Sequence, residues 1–108
     1  MESLEEIEAI LDEDPVDIEV FKEGAVLLTR DKDWKGLEGY YIRELRRIDD
    51  LDEDMIKHHL WRQLGQIYEL RLDNLENAEQ AYQVALALDP DNEELEDQLA
   101  DVQDRLAE

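Results

Sequence analysis

His58 and His59 are the only histidines of the chain, and they are adjacent. A helix can hold a metal between two imidazoles four residues apart. Neighbours point about 100° apart and cannot reach one ion. The pair therefore reads as surface or groove histidines. Asp50, Asp52 and Asp54 open like a calcium loop. Met55 then stands where the sharp turn needs glycine, and Trp61 where a bidentate glutamate would close the cage. Asp89 and Asp91 fail the same way, with Glu94 at the glycine position. Ser3 and Thr29 are the only serine-type hydroxyls and cysteine is absent, so no triad or thiolate nucleophile can be assembled. Gly36 and Gly39 do not make a phosphate-cradling loop. Carboxylate pairs abound, but with 32 acids chance pairs carry no information. The expectation is a non-enzyme with no catalytic residue, no cofactor and no metal site.

Something else must then occupy the chain's 108 residues, a length that suits one domain. Hydrophobic residues are 43 % of the chain and charged ones 40 %, enough apolar material to bury roughly two-thirds of the unfolded surface. Thirty-two acids against 11 Lys and Arg give a net charge of −21. Such a chain lacks the basic footprint that nucleic-acid phosphates need, and it is repelled by anionic membrane surfaces. No apolar run approaches the roughly 20 residues that span a bilayer. The acidic start, where Met1 reads as a natural first residue, does not resemble a basic secretory signal. On those grounds a cytoplasmic location is expected, with neither nucleic acid nor membrane as partner. The acidity is greatest at the two ends. Residues 1–19 carry nine acids and no base, and residues 89–108 carry nine acids and only Arg105 as a base. These ends suit solvated helix faces, or else surfaces for a basic partner.

Apolar residues recur at helical spacing almost throughout, and no alternating β-branched run appears. Ser3 and Glu6 form a capping-box pattern before Leu4, Ile7, Ile10 and Leu11. Asp14-Pro15 reads as a helix start, with Asp14 as cap and a second helix running to about Thr29. Asp33 can cap a third helix, from Trp34 to about Ile48. A fourth runs from about Glu53 to Leu70, a fifth from the Asp73-Asn74 turn to about Leu88, and a sixth over about 92–106. The short polar turns between them predict antiparallel neighbours.

Trp61, Leu64, Gly65 and Tyr68 open one helix of a pair, and Ala78, Tyr82, Ala85 and then Pro90 complete the next. This pattern resembles the tetratricopeptide repeat, a helix–turn–helix unit of about 34 residues. Gly65, Ala78 and Ala85 are small where two helices must cross closely. The stretch from Tyr68 to Ala78 is one residue longer than usual, which predicts a longer turn at Leu72-Asp73-Asn74. A divergent copy lies upstream. Phe21, Gly24, Ala25 and Leu28 take first-helix positions, while Leu37, Tyr41 and Glu44 take second-helix ones. Leu37 and Glu44 there replace small residues. Extra residues near Leu51 to Ile56 are expected to lengthen the start of the fourth helix. Leu95, Leu99, Ala100, Val102 and Leu106 mark a capping helix with an acidic outer side.

The resemblance implies an all-α fold, with antiparallel helix-turn-helix pairs stacked as a short TPR-like α-solenoid of five to six helices. Within a single domain over 1–108, residues 1–14 are an acidic N-terminal helix or flexible lead, and 18–51 a divergent repeat. Residues 58–92 are a well-matched repeat, and 92–106 the cap. The implied role is a scaffold or adaptor that binds a peptide or helix of a partner protein in a concave groove. Carried over position by position, the groove takes Lys22, Val26 and Thr29 from the first repeat. It takes His59, Arg62, Gln66 and Glu69 from the second, and Glu94, Asp97 and Asp101 from the cap. Only Lys22 fits the family's clamp for a peptide carboxylate. Val26 replaces an asparagine, and Glu94 and Gln98 stand where Lys and Arg would be, so acidic chaperone tails are not expected to bind. Two repeats leave apolar ends, which self-association into a homo-oligomer would cover. Arg43 and Arg47, i and i+4 on the third helix, form with Lys35 and Arg46 the only basic cluster; internal pairing is the expected fate of its charges. A competing reading is an acidic inhibitor that mimics nucleic acid on a basic protein.

Overall fold

The computed structural model describes residues 3–108; Met1 and Glu2, the start of the acidic lead, lie outside them. The described residues form six helices and no strand. They are α1 (Leu4–Glu13), α2 (Ile18–Arg30), α3 (Trp34–Ile48), α4 (Asp54–Leu70), α5 (Leu75–Leu88) and α6 (Glu93–Leu106). The fold is all-α, built from consecutive helix pairs. None of the described helices is long and apolar enough to cross a membrane. Two compact units divide the chain, residues 1–52 with α1 to α3 and residues 53–108 with α4 to α6.

Five of the six described helices begin where a short polar side chain satisfies free backbone donors, while Glu53 ahead of α4 makes no such bond. Ser3 Oγ accepts from the amide of Glu6 at 3.2 Å, Asp33 from Gly36 at 3.0 Å, and Asn92 from Leu95 at 3.0 Å. Asn74 caps α5 through the amide of Asn77. One expected start moves. Asp14 ends α1, its amide bonded to the Ile10 carbonyl, and Pro15-Val16 form a turn. Asp17 is the cap of α2, accepting from the Val20 amide at 3.2 Å. Two aspartates flank that proline turn, and the second has its carboxylate within reach of the first free amides. Leu51 to Glu53 stay outside α4, so only Asp54 to Ile56 lengthen its first turn. Lys32 and Asp73, at φ 54° and 51°, close the turns after α2 and α4 in the left-handed region. The first is a Schellman-type stop, with the Asp33 amide bonded to the Leu28 carbonyl.

In the unit of α4 to α6, α4 and α5 run antiparallel around Gly65. A Cβ placed there would lie 2.6 Å from the Tyr82 ring, so only glycine lets the ring seat on α4. Ala78, Ala81, Tyr82 and Ala85 are all buried on the facing side of α5. Leu95, Leu99 and Val102 of α6 complete this core, while Ala100 points to solvent.

The unit of α1 to α3 repeats the device with other residues. A Cβ on Gly24 of α2 would overlap the Tyr40 hydroxyl, which donates to the Phe21 carbonyl at 2.8 Å. Phe21 stacks on Tyr40 with ring centroids 4.6 Å apart. Tyr41, expected in the place of Tyr82, instead meets Phe21 edge-on at 5.0 Å. The ring over the glycine is thus one residue earlier, because stacking on Phe21 holds Tyr40 there. Ile7 and Leu11 of α1 are buried in the same unit.

Gly65→Ala is expected to lower the unfolding free energy by about 1–2 kcal/mol, because overpacking against Tyr82 exceeds the helix-propensity gain of about 1 kcal/mol. Lys32→Gly should raise it by about 0.5–1 kcal/mol by relieving a left-handed Cβ. Urea midpoints at unchanged slope read both.

Candidate partner-binding faces

Four-residue spacing sets Lys22, Val26 and Arg30 along one side of α2. Val26 is 54 % exposed, a large aliphatic side chain left in water among charged neighbours. It lies in a cleft of about 520 Å³ lined by Ile7 of α1 and by Glu19, Lys22, Glu23, Val26, Leu27 and Arg30 of α2. A second hollow of about 480 Å³ continues over Ala25, Val26 and Thr29, with Lys22 and Arg30 again at its edge. Lys22, Val26 and Thr29 line the same hollow on α2. Arg30 and Ile7 were missed. Arg30 was legible as the next step of the four-residue series. Ile7 comes from another helix, and no spacing within α2 could reveal it. Lys22 has a 3.9 Å contact with Glu19, both side chains well exposed, and Arg30 has no ion-pair partner among the described residues.

The α4 set behaves differently. Arg62 donates from Nε to Gln98 Oε1 at 3.0 Å and from Nη2 to Glu94 Oε1 at 2.8 Å. Glu69 accepts from the Tyr82 hydroxyl at 2.8 Å and from Arg105 Nη1 at 2.7 Å, and Arg105 also reaches Asp101 at 3.1 Å. Arg62, Glu69 and Glu94 thus tie α4 and α5 to α6, and Asp101 steadies Arg105 within α6. His59 and Asp97 remain exposed and Gln66 half-buried. Burial, together with the Glu69 hydrogen bond, pushes the Tyr82 phenol well above its ordinary value.

His58 is not the surface or groove histidine the sequence suggested. It is 3 % exposed, with Nδ1 2.9 Å from the Ala85 carbonyl and Nε2 3.6 Å from Asp89 Oδ2. It fastens the start of α4 to the end of α5. The described residues hold no cluster of three or more His, Cys, Asp or Glu side chains placed to bind a metal.

Of the basic cluster of α3, Arg43 and Arg47 reach carboxylates of α1, Lys35 pairs within its own helix, and Arg46 stays exposed with no ion-pair partner among the described residues. Arg43 grips Glu8 of α1 with two bonds, Nε to Oε1 at 2.6 Å and Nη2 to Oε2 at 3.0 Å. Arg47 bonds Asp12 at 2.7 Å, Glu8 at 3.0 Å and Glu44 at 3.3 Å. Lys35 pairs with Glu38 at 3.1 Å. Burial opposes the charge on Glu8, and the Arg43 and Arg47 hydrogen bonds overcome it, holding the carboxyl below its usual range.

No known protein family matches the chain, and no curated protein matches it.

Arg62→Ala should loosen α6 by at most about 1 kcal/mol, since Glu94 on the other side is largely exposed. Half-molar salt should remove most of the difference, read as converging thermal midpoints of the two proteins.

Proposed function

We propose that the chain is a non-catalytic interaction module of tetratricopeptide-like build, which holds a peptide or helix of a partner protein against α2. The observation that carries this reading is Val26, exposed in the lining of a cleft with Lys22 and Arg30 one turn to either side. An exposed aliphatic side chain gains nothing from water, and covering it stabilises a complex by removing apolar area. The flanking cations can bond to backbone carbonyls or polar side chains of an extended segment. Paired helices with a glycine beneath a tyrosine support the family likeness, since close helix crossings are what the repeat pattern encodes.

A second reading draws support from α6. Glu93, Asp97, Asp101, Asp104 and Glu108 follow one another at three- to four-residue steps, all exposed. Such a row of carboxylates suits an acidic mimic that occupies the nucleic-acid site of a basic protein.

Panning a displayed peptide library against the purified protein separates the two. Peptides recovered at 0.3 M salt should lose at least tenfold in affinity against Val26→Glu, with helicity by circular dichroism unchanged. Recovered peptides indifferent to Val26→Glu would overturn the α2 reading. Complexes that form only at low salt with basic peptides, and fade on neutralising Asp97 and Asp104, would establish the mimic instead.

A further inference from the structure

Glu44 is a carboxylic acid with no exposed surface in a chain that carries 32 acids, most of them free to face water. Its Oε1 accepts one long bond, from Arg47 Nη1 at 3.3 Å. Its Oε2 is buried and has no hydrogen-bond partner among the described residues. An orphaned buried carboxylate oxygen costs free energy unless it is neutralised or hydrated.

The surroundings offer little relief. From α1, Glu8 and Asp12 claim the same Arg47 guanidinium at 3.0 Å and 2.7 Å. Arg43 of α3 is already engaged by both oxygens of Glu8. Tyr40, one turn before Glu44, spends its hydroxyl on the Phe21 carbonyl of α2. With Glu44 ionised, the cluster holds three carboxylates, Glu8, Asp12 and Glu44, against two guanidiniums, Arg43 and Arg47. One negative charge is left over, and it falls on the member with no access to water. A proton on Glu44 balances the cluster and frees Arg47 for Glu8 and Asp12.

We propose that Glu44 is a proton-binding site that governs how firmly α1 docks on α3, the helix being held when Glu44 is protonated and loosened when it ionises. Burial is the main influence on the group, with Asp12 and Glu8 adding to it and Arg47 opposing. Together they raise its pKa from 4.5 to about 7. When α1 lifts, Glu44 meets water and returns towards the ordinary value. The docked form therefore binds the proton more tightly. Docking is favoured below pH 7, and the advantage is lost as the pH rises through that value. Between pH 6 and pH 8 the ratio of docked to open α1 falls about tenfold. Glu8 bounds the window on the acid side. Its lowered pKa means that its contribution is present above 4.5 and is lost as the pH falls through the value in the folded chain. Ile7 of α1 forms part of the α2 cleft, so loosening α1 removes one wall of it. The switch itself needs no ligand and stands apart from the peptide reading.

The test follows the free, full chain by NMR. The side-chain carboxyl carbon of Glu44 reports its titration. Amide-exchange protection of residues 5–13, corrected for intrinsic exchange and compared with residues 60–68, reports docking of α1. The expected result is a Glu44 midpoint near 7 and about tenfold lower α1 protection at pH 8 than at pH 6, with residues 60–68 unchanged. Glu44→Gln, which keeps the shape and removes the charge, should hold α1 at the pH 6 level throughout. A Glu44 midpoint in the ordinary carboxylate range would overturn the proposal. So would α1 protection that stays level while Glu44 titrates, or a pH dependence that survives in Glu44→Gln. Were Glu44→Gln not to fold, the titration and exchange of the unaltered chain decide the matter alone.

Discussion

The closeness of paired helices is the constraint on which the rest depends. Two helices can approach only as far as the bulkiest side chain between them allows, and here a whole tyrosine ring lies in that gap. Gly65 removes the Cβ that would meet Tyr82, and Gly24 removes the one that would meet Tyr40. With the ring seated, the small residues Ala78, Ala81 and Ala85 close the rest of the α4–α5 contact. Neither glycine adopts a left-handed backbone, so their role is space rather than conformational freedom. The arrangement also fixes which helix faces remain outside. Once Gly24 and Phe21 turn towards α3, helical geometry turns Lys22, Val26 and Arg30 outwards.

Electrostatics then divides the few cations of a very acidic chain. Arginine forks suit carboxylates, and most of the arginines with resolved partners bridge separate helices. Arg43 and Arg47 tie α3 to α1, Arg62 ties α4 to α6, and Arg105 reaches back to Glu69. Each pair on its own is worth little where it meets water. Their common effect is orientation, because each joins helices that are not consecutive. Within each unit, consecutive helices are already held by apolar burial and short turns. Lys22 and Arg30 take no part in this bracing, and they flank the exposed valine of α2.

Much of this was legible in the residue order. Apolar spacing located all six helices, and Ser3 and Asp33 marked the starts of α1 and α3 because capping is local chemistry. The Gly65–Tyr82 crossing could be read because small and large residues alternate there at repeat spacing. What escaped detection depends on contacts between distant segments. Asp14 and Asp17 both suit a cap, and only the proline turn decides between them. Tyr40 and Tyr41 are equivalent on paper, and Phe21 selects the first by stacking. His58 looked like its neighbour His59, yet the end of α5 buries it. Ile7 joins the α2 cleft from another helix. Arg62 and Glu69 carried the right spacing for an open face, and α6 consumes both.

Glu44 shows the same limit at its sharpest. It stands three residues beyond Tyr41, as Ala85 stands three beyond Tyr82, and spacing alone offers no reason for a carboxylate there. A buried acid with one oxygen unpaired lowers stability wherever it is ionised. An alanine or leucine would pack the position without that cost. A group that must lose its charge to stay buried responds to the proton concentration around it. The arginine beside Glu44 is shared with two carboxylates of α1, so any change in its charge is felt by the helix across the cluster. The elements of a switch are therefore contained in one helix pair: a site whose two charge states differ in free energy, and a neighbouring segment held by the same guanidinium.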